Sequence, residues 1–141
     1  MRKFLQPILF LIALSPLIFS GCKKDHGLPV RIEQISTAVN EEGNETGTFT
    51  STGGIRTSGT FFMEIKLIGT DSIHCLNKLS APEGTITMRM RCSMVTNKGE
   101  WNIISGTERY RYLRGSGSLV MIFPPGEIGR EISTGHVFFG W

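Results

Sequence analysis

The stretch ITMRMRCSM, residues 86–94, alternates apolar and polar side chains without a break. In an extended chain Ile86, Met88, Met90, Cys92 and Met94 share one face, and Thr87, Arg89, Arg91 and Ser93 share the other. A period of two sustained over this length is the pattern of a strand with one face buried and one face in water. A strand of that kind must lay its apolar face against other strands or helices. No window of the chain repeats apolar residues at three- and four-residue spacing, so the partners are expected to be strands.

The same alternation recurs. Phe61, Met63, Ile65 and Leu67 are in phase against Glu64 and Lys66, and Val137, Phe139 and Trp141 are in phase at the end of the chain. Further strands are expected over 30–39, 47–51, 72–79, 100–104 and 116–123, which with 61–67, 86–94 and 136–141 makes eight. Between them lie NEEGNETG, STGG, APEG, TNKG and PPGEIG, clusters rich in turn-forming residues. Evenly spaced short strands with no helix between them point to an all-β antiparallel sandwich or barrel. Closure would remove the edges through which such sheets aggregate.

The first residues have a different character. Arg2 and Lys3 precede a mostly apolar stretch over 4–19, broken by Pro7 and Pro16, and Ser20-Gly21 form a small-residue exit before Cys22. This is the layout of a cleaved export signal; a spanning helix needs ~20 apolar residues. FSGC (19–22) resembles a bacterial lipobox, with Phe19 where leucine is usual. The resemblance implies a signal peptide over 1–21, lipidation of Cys22, and a polar tether over 22–29 ahead of a domain at 30–141. Several acyl chains at Cys22 would anchor the protein stably, since each buried CH₂ contributes ~0.8 kcal/mol. Position 23, after Cys22, is lysine rather than the aspartate that retains some bacterial lipoproteins at the inner membrane, so the outer membrane is the expected destination. Without 1–21 the chain carries 13 basic and 12 acidic residues, so the net charge of +3 gives no attraction to polyanions.

FTSTGGIRTSGTF (49–61) and EWNIISGTERYRYLRGSGSL (100–119) resemble segments of the allene oxide cyclase-like β-barrel superfamily, which includes dirigent-like proteins. The matching positions are Trp101, Gly106, Thr107, Tyr110, Leu113, Arg114, Gly115 and Gly117. The resemblance implies an eight-stranded antiparallel barrel with an apolar interior. The family has glycine at the position of Glu108, and glutamate does not readily take a positive φ, so a different local backbone is expected here. No catalytic set of the cyclases maps onto named positions.

Within SGTERYRYLRGSGS (105–118), the glycines invite a phosphate-loop reading and the Arg/Tyr alternation a nucleic-acid one. No helix pattern follows Gly117, as a phosphate loop requires. Arg109 and Arg111 would face away from Tyr110 and Tyr112 in an extended chain, unlike a stacking platform. The segment is expected to be a barrel corner with both tyrosines inward, and no nucleic-acid partner is expected.

If Cys22 is lipidated, Cys75 and Cys92 remain as an even pair in an oxidising compartment. A four-residue loop over 82–85 would place Ala81 opposite Ile86 and Cys75 opposite Cys92, both on apolar faces. A disulfide is expected there, stabilising by about 3 kcal/mol. The alternative is a pair of buried thiols acting as small hydrophobes. His74 adjoins Cys75 but on a strand points the other way, and His26 and His136 have no ligand spacing to it, so no metal and no cofactor is expected. Glu64, Glu100 and Glu108 are candidate acids for a pocket, or residues of a solvated face.

These features lead to a membrane-tethered exported lipoprotein whose barrel binds a small apolar ligand, a surface glycan or a protein. Phe61, Met63, Ile65, Met88, Met90, Trp101 and Tyr110 are the candidate interior contacts. A cyclase-like or dirigent-like enzyme acting on a small apolar substrate is the alternative from another class. A small outer-membrane barrel with its apolar residues turned to lipid is a further one.

Overall fold

The computed structural model describes residues 27–140. Eight strands follow one another: β1 (Leu28–Val39), β2 (Glu45–Gly53), β3 (Thr57–Ile68), β4 (Ser72–Ala81), β5 (Gly84–Ser93), β6 (Lys98–Gly106), β7 (Leu113–Ile122) and β8 (Gly129–Phe139). A single 3-10 turn, Glu108–Tyr110, stands between β6 and β7. Each strand pairs antiparallel with its sequence neighbours, and β1 pairs with β8, so the sheet closes into a barrel. Every strand has two partners, so residues 27–140 form a self-contained fold with no open sheet edge. The expected signal peptide over 1–21 and Cys22 lie outside the described residues. Leu28 and Pro29, assigned by sequence to the tether, are the first residues of β1.

Strand direction separates the connections into two ends. The β2–β3, β4–β5 and β6–β7 connections lie at the end where β1 begins and β8 finishes. The β1–β2, β3–β4, β5–β6 and β7–β8 connections lie at the other. The inner face is apolar, with Ile32, Leu79, Ile86, Met88, Met90, Leu113 and Leu119 all essentially inaccessible to solvent. The outward face carries Arg31, Glu64, Lys66, Arg89, Arg91 and Glu100, with Phe62, Leu76, Val120 and Phe138 exposed among the polar residues.

Trp101 fixes one side of the core. It pairs with Gly117, which in turn pairs with Gly135. The indole Nε1 donates to the Ser118 carbonyl at 3.1 Å and the Thr134 carbonyl at 3.2 Å, so the ring reaches across β7 to β8. A Cβ at Gly117 would stand 1.9 Å from the Thr134 oxygen, and one at Gly135 2.1 Å from that of Ser116. Side chains are excluded at both positions because the strands approach too closely.

The first-named end is closed. Tyr110 and Ile55 are buried there. Thr57 Oγ1 donates to Glu83 Oε2 at 2.9 Å, and the Tyr110 hydroxyl donates to the same oxygen at 3.3 Å. Glu108 takes φ 54°, the left-handed conformation that the glycine-to-glutamate departure was expected to prevent. The expected corner at 105–118 is thus a 3-10 turn that buries Tyr110 and leaves Tyr112 half exposed, which corrects the placement of both tyrosines inward.

Candidate ligand cavity at the open end

Toward the other end the inward residues stop filling the barrel, and a cavity of about 410 Å³ remains. Small-molecule sites typically span about 300–1,000 Å³, and an eight-stranded barrel has room for one small ligand. Phe61, Met63 and Ile65 of β3, Ile73 of β4 and Met121 of β7 supply apolar wall. The hairpins at this end carry exposed apolar side chains on every side: Val39, Leu67 and Ile68, Met94 and Val95, Phe123 and Ile128. Of these, Met94 and Phe123 line the cavity, together with Asn97 and Arg130, so the entrance is mixed in character.

Gln34 and Glu131 line the cavity, and a chain of side chains from three strands runs from them into the core. Asn77 of β4 donates through Nδ2 to Gln34 Oε1 of β1 at 2.6 Å. Gln34 Nε2 donates to Glu131 Oε1 of β8 at 2.7 Å, and Ser133 Oγ donates to the same oxygen at 3.0 Å. Asn77 Oδ1 is buried with no hydrogen-bond partner among the described residues. Glu45 of β2 also lines the cavity and accepts a hydrogen bond from Ser36.

Glu131 is 7% exposed. Burial pushes its carboxyl from the ordinary 4.5 up to about 7; the bonds from Ser133 and Gln34 offset part of that rise, and the nearby Glu45 adds to it. Cys75 and Cys92 also line the cavity, and burial pushes both thiols up to about 12. They are therefore protonated at neutral pH and are not nucleophiles there.

The structure places the candidate interior contacts in three regions of the barrel. Phe61, Met63 and Ile65 line the cavity. Met88, Met90 and Trp101 are buried but fill the barrel beneath it, and Tyr110 closes the opposite end. Glu64, Glu100 and Glu108, the candidate acids, are all exposed on the outside.

The expected cysteine pairing is corrected by the turn before it. Ala81 pairs with Gly84, at φ 144°, across a two-residue connection rather than with Ile86 across four. The register moves by two, so Cys75 faces Met90 and Cys92 faces Ile73. Both cysteines stay on the inner face but stand diagonally, where Cα atoms are typically ~7–8 Å apart and beyond disulfide reach. Both are free thiols.

Sequence reading missed Gln34, Glu45, Asn77 and Glu131. A signal was present: Glu131 is in phase with Val137, and Gln34 with Val30 and Ile32, so each falls on an apolar face. Among the described residues no three His, Cys, Asp or Glu side chains gather as a metal site would require. No protein-family model matches the chain, and no curated protein or solved structure matches it significantly.

Proposed function

We propose that the protein is an exported, lipid-tethered binding module whose barrel takes one small, largely apolar ligand through its open end. The cavity carries this reading: it has largely apolar walls and a short polar group at Glu131, the composition of a small-molecule site. The lipobox-like FSGC supports the tether. β1 begins at the closed end, so a chain anchored at Cys22 would hold the barrel with its mouth pointing away from the anchor. The charged outward face argues against a barrel turned inside out in lipid, which needs an apolar outer band ~25 Å tall.

Residues 23–141 are expected to enhance the fluorescence of a neutral, environment-sensitive naphthalene dye at one-to-one stoichiometry. Ile65→Trp, which fills the cavity, should abolish the enhancement while leaving the far-ultraviolet spectrum unchanged. Equal enhancement by the variant would place the dye on the exterior and remove the support for a hollow barrel. The anchor has its own test: Cys22→Ser should release the protein from the membrane fraction and eliminate its lipid mass.

One observation favours an enzymatic second reading. A carboxyl held at about 7 in an apolar cavity is suited to proton transfer at neutral pH. A cyclase-like or dirigent-like activity on a small apolar substrate would then depend on Glu131, and turnover surviving Glu131→Gln would exclude that role.

A further inference from the structure

The side chains around Glu131 are short of donors. Gln34 Nε2 and Ser133 Oγ both donate to Glu131 Oε1, Ser36 donates to Glu45, and Asn77 Nδ2 donates to Gln34. What is left over is acceptor capacity. Glu131 Oε2 receives none of these bonds, and Asn77 Oδ1, on a side chain with no exposure, has no partner among the described residues. Once Glu131 is ionised, the side chains around it offer more acceptors than donors: beyond these bonds they have the second N–H of Gln34 and the weak S–H groups of Cys75 and Cys92 to give.

The charge balance has the same sign. Two carboxylates, Glu45 and Glu131, line the cavity. Among the described residues the one basic side chain along it, Arg130, directs its guanidinium to Glu127 at 2.7 Å and Glu33 at 3.4 Å. A buried carboxylate without a counter-charge is costly to keep ionised. Among the described residues no counter-charge is directed at Glu131, so a group that completes the site with Glu131 ionised would bring both positive charge and N–H donors.

We infer that the ligand is an amphiphilic cation, an apolar body ending in a primary or secondary ammonium, held against Glu131 Oε2 with Glu45 nearby. This inference rests on the cavity being a ligand site. An ammonium offers several donors and a charge in one compact group, while its apolar body occupies the space between Phe61, Met63, Ile65 and Met121. A neutral alcohol could satisfy one acceptor but would leave the two carboxylates unopposed.

Binding should depend on the ionisation of Glu131. The groups facing it are Glu45 from β2, Cys75 from β4 and Cys92 from β5; β1 and β7 present Gln34, Ser36, Leu119 and Met121, which do not titrate. With Glu131 at about 7, its ionised fraction rises from roughly one-tenth at pH 6 to nine-tenths at pH 8. A primary alkylamine stays protonated throughout this range, like lysine at ~10.4.

The experiment is calorimetric titration of residues 23–141 with n-octylamine and with n-octanol at pH 6 and pH 8. Octylamine should bind about tenfold more tightly at the higher pH, and at that pH at least tenfold more tightly than octanol, whose affinity should not change with pH. Glu131→Gln should abolish the amine preference and keep octanol binding; the pH profile of the unaltered protein tests the same point should that variant not fold. Equal affinity for the two ligands, or amine binding flat with pH, would overturn the cationic assignment and leave the cavity reading standing. Binding of neither would overturn both.

Discussion

Replacing Glu131 by glutamine removes one ionisation from the interior and little else. The amide keeps an oxygen for Gln34 Nε2 and Ser133 Oγ and nearly the same volume. In the native protein the carboxyl titrates at about 7, against an ordinary value of 4.5. Below pH 4 it is protonated in folded and unfolded chains alike, and its full contribution to stability is present. As pH rises through 4.5 the unfolded chain ionises while the folded one does not, so stability declines until the folded group also ionises near 7. At about 1.4 kcal/mol for each pH unit separating the two values, the total loss is about 3 kcal/mol, most of it between pH 5 and pH 8. Urea unfolding of residues 23–141, followed by tryptophan fluorescence across that range, measures it directly. Glu131→Gln should match the native protein within about 1 kcal/mol at pH 5 and exceed it by about 2–3 kcal/mol at pH 8. Other titrating groups are common to both proteins and cancel in the difference. A difference that stays flat with pH, or a native protein that gains on the variant as pH rises, would refute the assignment of Glu131 as a buried carboxyl of raised affinity for its proton.

Gly117→Ala forces a Cβ to 1.9 Å from the Thr134 oxygen and separates β7 from β8 beneath Trp101; a loss of about 2–4 kcal/mol in the same unfolding assay is expected, and an unchanged midpoint would contradict the close approach. Glu108→Gly relieves a left-handed residue at φ 54° and should raise stability by about 0.5–1 kcal/mol, where a loss would show that the glutamate side chain contributes more than its backbone costs. Cys75 and Cys92, buried and held at about 12, should resist iodoacetamide at pH 8 in the folded protein and take up two alkyl groups once it is unfolded. Rapid labelling of the folded protein, or an intact denatured mass two hydrogens low, would contradict free buried thiols.

The barrel was readable wherever inward residues are apolar. Strands β3 and β5 show Met63 to Leu67 and Ile86 to Cys92 as unbroken alternation, and they stand where the pattern puts them. β8 was recognised only over its last residues, although it begins at Gly129, because Glu131, Ser133 and Gly135 occupy its inner face. The polar residues that break the alternation there are the ones that build the cavity. Such a site hides from a search for hydrophobic periodicity, and it emerges once the phase of Val137 is carried backward. The Cys75–Cys92 register failed for a smaller reason. The connection at Pro82 and Glu83 is two residues shorter than assumed, because Gly84 can take φ 144° and pair directly with Ala81. A shift of two preserves the face of every side chain while changing every partner. Faces are therefore more legible in a sequence than pairings are.

Native mass spectrometry of residues 23–141, exported from cells and purified without detergent, tests the central claim most directly. A hollow barrel with a donor-bearing apolar ligand predicts a reproducible added mass in one-to-one ratio, lost on denaturation, reduced by Glu131→Gln and absent from Ile65→Trp. A bare mass that remains bare after incubation with n-octylamine at pH 8 would contradict it.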